Sequence, residues 1–156
     1  MAAFFFGIEN NTLETNENIF SVVSRLANSV SSLPFKLYQK YDPQTNPFTE
    51  KLMNFPNPNY SLDEIFRILE VARNTNGNGY ALIMRDIRMK LEMLVPINPS
   101  HCEPVMDIDN HELWYRVTNQ GKSYFIHNSD MIHVKHIMGN GNYKGISPIS
   151  VLKKLE

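Results

Sequence analysis

Cysteine is nearly absent from this sequence. The one cysteine among 156 residues is Cys102, which excludes an intrachain disulfide framework and is typical of a protein made in a reducing compartment such as the cytoplasm. Long apolar runs are also missing: none approaches the length that spans a bilayer. Residues 1–7 are apolar but contain no basic side chain and are too short for the core of a signal peptide. We therefore expect a soluble protein with no membrane partner.

Clusters of positive charge are missing as well. The formal net charge is -1, and the first basic residue is Arg25. Tight binding of DNA without sequence preference normally requires clustered Lys and Arg that displace counterions from the phosphates, so such binding is not predicted. Asn and Glu recur over residues 9–17, and we predict a flexible N-terminal extension at residues 1–15.

The apolar residues that remain, 42% of the chain, are enough for the core of one domain. Apolar side chains recur at helical spacing over residues 16–32, which predicts an amphipathic helix whose apolar stripe is buried against a sheet. Residues 35–40 alternate as in a half-exposed strand, and residues 42–47 predict a turn. The Pro-Asn-Pro-Asn segment at 56–59 predicts a rigid loop. Ser61 and Glu64 form a capping-box pattern for a second amphipathic helix that ends near Asn74.

From Gly79 onward the apolar period changes to two. Residues 80–86 and 90–97 predict an antiparallel pair, and further strands are predicted at 104–108, 113–118, 123–127 and 131–137. A short helix is predicted to begin at Pro148. Helices followed by a meander of strands indicate an α+β fold, with two N-terminal amphipathic helices packed on a mainly antiparallel sheet.

Three separated motifs carry the most specific information in the chain. Residues 46–61 read NPFTEKLMNFPNPNYS, residues 77–86 read GNGYALIMRD, and residues 130–134 (DMIHV) are followed by GISPI at residues 145–149. In this order and at these separations, they closely resemble the N-terminal part of the portal proteins of tailed bacteriophages. The resemblance extends from about residue 16 to the end of the chain.

The resemblance implies a structural protein and not an enzyme. Portal proteins form a ring, commonly of about twelve subunits, at one vertex of the viral head, and double-stranded DNA passes through the ring during packaging and ejection without sequence-specific binding. The implied partners are other portal subunits, the major head or scaffolding protein, the terminase and the head–tail connector. The implied location is the virion, after assembly in the cytoplasm of a bacterial host. Residues 16–156 are then a wing-like domain that stops before the stem and clip.

The residues that carry the resemblance are assigned a structural role, with no cofactor and no catalytic or metal-binding residue. They are Pro47, Leu52, Pro56, Asn57, Gly77, Asn78, Tyr80, Asp130, His133, Gly145, Ser147 and Pro148. Among them, Gly77 is predicted to end a helix in a left-handed conformation, and the Asn78 side chain to cap nearby backbone groups. Ser147 and Pro148 are predicted to cap and begin the last helix.

Two other classes of function remain as alternatives. A small metal-dependent nucleic-acid-processing phage enzyme could use His133 with His136, or the carboxylates of Asp107, Asp109 and Glu112. Residues three apart on a regular strand point to opposite faces, however, which argues against the histidine pair. An autonomous protein-binding module that recruits a peptide at an exposed strand edge is the second alternative.

Three further patterns are assigned structural roles. The glycines of residues 139–145 do not match the spacing of a phosphate-binding loop, and a flexible loop is predicted there. Cys102 is not predicted to be catalytic, because its sequence neighbours in an extended segment point away from it. The aromatic residues Trp114, Tyr115, Tyr124 and Phe125 are predicted to form core and cross-strand pairs instead of a nucleic-acid platform.

Overall fold

The structure is a computed structural model that describes residues 16–139 and 143–152. The predicted flexible extension (1–15), the centre of the predicted loop 139–145 and the last four residues lie outside the described part. The described helices are α1 (Glu17–Ser31), α2 (Pro47–Asn54), α3 (Leu62–Thr75) and α4 (Pro148–Leu152). None of the helices in these ranges combines the length and apolar character needed to cross a bilayer.

Polar side chains mark the start of the first three helices. The Oδ1 atoms of Asn16 and Asn46 accept hydrogen bonds from backbone N–H groups in the first turns of α1 and α2. The predicted capping box is present ahead of α3, where the Glu64 carboxylate accepts from the Ser61 N–H at 2.8 Å. Helix α2 was not predicted from the sequence. Its signal was present, because Asn46 is a good cap and Pro47 occupies the first helical turn, where proline is favoured.

The eight strands in the described ranges form two three-stranded sheets and one hairpin, all antiparallel. The first sheet has the order β4-β3-β8 and the second has the order β5-β6-β7. The strands are β1 (Tyr38–Gln39), β2 (Asp42–Pro43), β3 (Asn78–Arg85), β4 (Leu91–Ile97), β5 (Cys102–Asp107), β6 (Glu112–Asn119), β7 (Lys122–His127) and β8 (Met131–Lys135).

The six strands predicted after Gly79 are all present, with ends that differ by about two residues. In place of the predicted strand at 35–40, the chain forms the hairpin β1–β2, in which each strand has two residues. Its turn residues Lys40 and Tyr41 have φ angles of 56° and 90°. The local turn reverses the chain before a longer strand can form. Strand β8 ends at Lys135, before the predicted residue 137, although the N–H of His136 still donates to the Gly77 carbonyl at 2.9 Å in the register of the β3–β8 pair.

The core is divided into two layers by the first sheet. On one face, α3 contributes Leu62, Ile65 and Leu69, which pack against Ala81 of β3. On the other face, Tyr80 and its neighbours pack against the second sheet. This second cluster contains Tyr80, Leu82, Ile97, Cys102, Tyr115, Val117 and Met131. The alternation along β3 therefore sends successive side chains into different layers, as the strand period requires.

Helix α1 packs on α3, which corrects the expectation that its apolar stripe would be buried against a sheet. The reason is that α3 already covers the helical face of the first sheet. Val23 and Ala27 are buried on the α3 side of α1, whereas Phe20, Val22 and Leu26 stay exposed. The amphipathic stripe predicted from the sequence is real, but only part of it is covered by the described residues.

Candidate functional site

Two of the three sequence motifs meet at the start of strand β3. Asn78 begins β3 directly after α3, and His133 lies in the adjacent strand β8, opposite Tyr80 in the register. Gly145 belongs to the segment that leads into α4. Together with Tyr115 of β6, these residues form a connected set of hydrogen bonds. We call Tyr115, His133, Asn78 and Gly145 the Asn78 clasp.

Asn78 is the centre of the clasp. Its side chain is only 3% exposed, and its Oδ1 accepts a hydrogen bond of 2.7 Å from the Gly145 N–H. Its Nδ2 donates to the Gly145 carbonyl at 3.1 Å and to Asn76 Oδ1 at 3.3 Å. Because a backbone N–H can only donate and a carbonyl can only accept, Gly145 determines the orientation of the Asn78 amide. The prediction that Asn78 caps nearby backbone was therefore wrong, because its side chain binds backbone that is 67 residues away in the chain.

His133 extends the clasp to the second sheet. Its Nε2 lies 2.9 Å from Asn78 Oδ1, and its Nδ1 lies 3.1 Å from the Tyr115 hydroxyl. Since Asn78 Oδ1 is an acceptor, His133 Nε2 carries the proton and donates, and Nδ1 accepts from the Tyr115 O–H. The His133 ring also stacks on Tyr80, with ring centroids 4.3 Å apart. The imidazole is thus held by partners from both sheets.

The surroundings of the clasp favour the neutral form of His133. Burial lowers the pKa of His133 to about 4, and the positive charges of Lys135 and Lys144 act in the same direction. Burial also raises the pKa of Tyr115, so its hydroxyl keeps the proton that it donates. The hydrogen-bond pattern and the electrostatics therefore agree on a neutral imidazole.

Two glycines let the backbones of the clasp touch. Gly77 has a φ of +88°, and a Cβ on it would lie 2.5 Å from the carbonyl carbon of Ile146. A Cβ on Gly145 would lie 2.7 Å from the His136 nitrogen and would also overlap the Gly77 carbonyl. Real side chains do not occupy such positions, so the contact requires glycine on both segments. Gly77 ends α3 in the left-handed conformation that the sequence predicted.

Ser147 fixes the next turn of the same segment. Its Oγ donates to the Thr75 carbonyl at the end of α3, at 2.6 Å, and accepts from the Ser150 N–H at 3.2 Å. Pro148 is the first residue of α4. The predicted helix start is therefore present, and the same hydroxyl that caps α4 also joins it to α3.

The first motif lies elsewhere, at the free edge of β4. Asn57 Nδ2 donates to the Leu94 carbonyl and the Leu94 N–H donates to the Pro56 carbonyl, both at 2.7 Å. Leu52 of α2 packs against the core beside α3, and Pro47 begins α2. These residues extend and cover the sheet edge, but they do not contact the clasp.

Asp130 lies at the opposite end of β8 from the clasp. It pairs with Arg85 of β3, with 2.7 Å between Arg85 Nε and Asp130 Oδ1. Both side chains are about one third exposed, so we assign this pair a small share of stability. Sequence reasoning missed Tyr115 as a member of the clasp and Thr75 as the partner of Ser147. No local pattern marks them, because each is separated from its partner by other elements.

The residues considered for metal chemistry have other partners. His133 belongs to the clasp, whereas His136 lies beyond the end of β8. The Asp107 carboxylate accepts hydrogen bonds from the backbone N–H of Asp109 and from Asn110, which is ordinary turn chemistry and holds its pKa below the usual range. Within residues 16–139 and 143–152, no three His, Cys, Asp or Glu side chains are placed to hold a metal ion together.

The other residues considered for function, Cys102 and the four aromatic residues, are distributed across the second sheet. Cys102 is buried, and burial raises the pKa of its thiol to about 12. Tyr115 is a core residue as predicted, and Trp114 packs edge-on against His127 with centroids 5.1 Å apart. Tyr124 and Phe125 are 41% and 61% exposed and so are not core residues, but each forms a predicted cross-strand pair, with Val117 and Arg116 of β6 respectively. Tyr124 and Phe125 lie on β7, an edge strand of the second sheet that pairs with β6 along one of its two edges.

One family model and several solved structures match this chain. The family model described as phage portal protein matches residues 17–155. A chain from the neck of an empty GTA particle, computed with C6 symmetry, superposes with a TM-score of 0.77 and 16% identity over 98% of this chain. A chain from the neck of a native GTA particle, computed with C12 symmetry, gives 0.71 and 18% over 95%. An HK97-family phage portal protein from Corynebacterium diphtheriae gives 0.56 and 13% over 85%.

The match covers most of this chain but only part of each solved relative. It spans 43%, 38% and 42% of those three chains, respectively. GTA denotes a gene transfer agent. At these identities the likeness to the solved structures shows a common fold. The search of curated proteins found no significant match.

Proposed function

Because this chain belongs to the phage portal protein family, we propose that residues 16–156 form the wing-like domain of a portal subunit. The portal ring occupies one vertex of a viral head, where DNA enters during packaging and leaves at ejection, and where head and tail join. The role is structural: the domain packs against neighbouring subunits and head proteins. It carries no catalytic step.

One observation supports this proposal most strongly: two sequence motifs typical of portal proteins converge in the Asn78 clasp. The clasp and Ser147 hold the segment immediately ahead of α4 against α3 and both sheets. By the family resemblance, this segment leads from the wing toward the channel-forming helix. We propose that the clasp sets the direction in which that helix leaves the domain, so that each subunit presents it at the same angle.

The partners follow from the same proposal. Other portal subunits form the ring, and the head or scaffolding protein, the terminase and the head–tail connector bind it. Double-stranded DNA passes without sequence-specific binding. The balanced charge supports this, since 15 basic residues are matched by 16 acidic ones and strong attraction to phosphates would oppose sliding. The site of action is the virion, after assembly in the cytoplasm of the host.

Negative-stain imaging and native mass measurement of the full product of the reading frame test this proposal. We expect closed rings of about a dozen subunits with a central hole, since identical subunits joined head to tail close into a ring when the rotation between them is correct. A product that stays a discrete monomer or dimer under assembly-promoting conditions would contradict the portal role and leave only a shared fold.

A further inference from the structure

An apolar groove runs between α1 and α4, and we call it the α1–α4 groove. Its volume is about 420 Å³, and its lining includes Val22, Val23, Leu26, Ile149 and Leu152. Val23 and Ile149 are buried, but Val22, Leu26 and Leu152 are 58%, 43% and 56% exposed. Adjacent apolar side chains that stay exposed in a concave surface are characteristic of a docking site.

The chain itself contains an occupant of matching chemistry. Residues 1–8 read MAAFFFGI, with three consecutive phenylalanines and no charged side chain, whereas the next residues contain Glu9 and Glu14. Phenylalanine buries a large apolar area, so such a segment gains by leaving water. We propose that residues 1–8 dock in the α1–α4 groove of the same chain.

The distances permit this docking. Helix α1 begins at Glu17, and Asn18 and Ile19 in its first turn already line the groove. Residues 9–15 can span about 24 Å when extended. Helix α1 has 15 residues and is about 22 Å long. The segment can therefore fold back and reach any point along α1, while the polar residues 9–15 remain in water.

The lining of the groove favours an apolar occupant from within the chain. Its polar members are Asn18, Asn74 and His136, and none of the lining residues is Lys, Arg, Asp or Glu. A partner with charged side chains would find no counterion there, whereas the side chains of residues 1–8 bring no charge into the groove. The tether also keeps the segment at a high local concentration, which favours it over a partner from solution.

Disulfide trapping tests the docking directly. In a Cys102→Ser background, Phe5→Cys is combined with Val22→Cys in the groove, or with Ser21→Cys as the control. Ser21 is exposed, lies at the same distance along the tether and does not line the groove. We expect the intramolecular bond to Val22→Cys to form at least ~10-fold faster, because docking raises the local concentration. Equal rates for the two pairs, or bonds that join two chains, would overturn docking within one chain.

A second measurement avoids cysteine chemistry. The triple variant Phe4→Ser, Phe5→Ser and Phe6→Ser changes none of the described residues, so the folded core is retained. If the segment docks, backbone amides of α1 and α4 exchange with solvent faster in this variant, and the amides of β6 in the second sheet do not change. Unchanged exchange in both helices would overturn the proposal.

Discussion

Replacement of Asn78 by alanine is the sharpest test of the clasp. The side chain is buried, and it satisfies the Gly145 N–H, the Gly145 carbonyl and His133 Nε2. Asn78→Ala leaves these three groups without their partner. Each buried group that loses its partner costs about 1–3 kcal/mol. Since water can enter part of the vacated space, we expect a total loss of about 3–5 kcal/mol.

Urea denaturation of the purified chain measures this loss. A single domain of this size has a free energy of unfolding of about 5–15 kcal/mol, so the variant should remain folded but unfold at a clearly lower urea concentration with an unchanged m value. Asn59→Ala is the matched control, because Asn59 is exposed. It should change the free energy of unfolding by less than about 0.5 kcal/mol.

Asn78→Asp separates the hydrogen bonds from the volume of the side chain. The carboxylate still accepts from the Gly145 N–H and from His133, but it cannot donate to the Gly145 carbonyl. A negative charge beside the imidazole also favours the protonated form, so the pKa of His133 should rise, as measured by NMR titration. If Asn78→Ala costs less than about 1 kcal/mol and the Gly145 amide stays protected from exchange, the clasp does not anchor the segment and the reasoning is refuted.

Three further outcomes follow from the site. The pKa of His133 is about 4 in the folded protein and 6.5 in the unfolded chain. Between pH 4 and pH 6.5 the unfolded chain therefore binds more protons than the folded protein. The free energy of unfolding should therefore fall as the pH drops from about 6.5 to 4. Measured by urea denaturation, it should depend less steeply on pH in His133→Gln than in the unchanged protein; identical slopes would contradict the buried neutral imidazole. Gly77→Ala and Gly121→Ala both place alanine at positive φ, but only the first would bring Cβ against backbone, at 2.5 Å. Thermal melts should therefore show a loss of about 1 kcal/mol for Gly121→Ala and several times more for Gly77→Ala, and equal losses would argue against the close contact. Asn57→Ala removes the hydrogen bond to the Leu94 carbonyl and the exposed one from the Asn59 N–H, and should cost about 1–2 kcal/mol in urea denaturation; a loss as large as that of Asn78→Ala would show that the edge of β4 matters more than expected.

The six strands from β3 onward and helices α1 and α3 were predictable because their burial follows a simple period, and α4 was predictable because Pro148 is a favourable first helical residue. Alternate side chains of β3 enter two different core layers, and one side of α3 faces the sheet, so the order of apolar residues records the structure. Helix α2 was missed because its eight residues lie between two proline-containing segments that were interpreted as a turn and a loop. The Asn46–Pro47 pair was the local signal that distinguishes the start of a helix from a turn.

The partner of each element was harder to predict than the element itself. The amphipathic pattern of α1 indicates that one side is buried, but it does not identify the element that buries it. Helix α3 covers the face of the first sheet, so α1 packs on α3 instead. The same limit applies to Asn78. Its sequence context, between two glycines at the end of a helix, predicted a cap for nearby backbone. The backbone that it binds is close in space but 67 residues distant in the chain, and no local spacing encodes that distance.

The clasp connects three parts of the fold through one continuous chain of hydrogen bonds. Tyr115 belongs to the second sheet, His133 and Asn78 belong to the first, and Gly145 belongs to the segment that enters α4. A displacement of that segment cannot break one bond alone, because loss of the Gly145 contacts also removes the partners that orient the amide of Asn78 and hence the imidazole. Hydrogen bonds coupled in this way strengthen one another and tend to be lost together. The start of α4 should therefore hold one position relative to both sheets until the whole clasp opens, which is the behaviour that the proposed role in a ring of identical subunits requires.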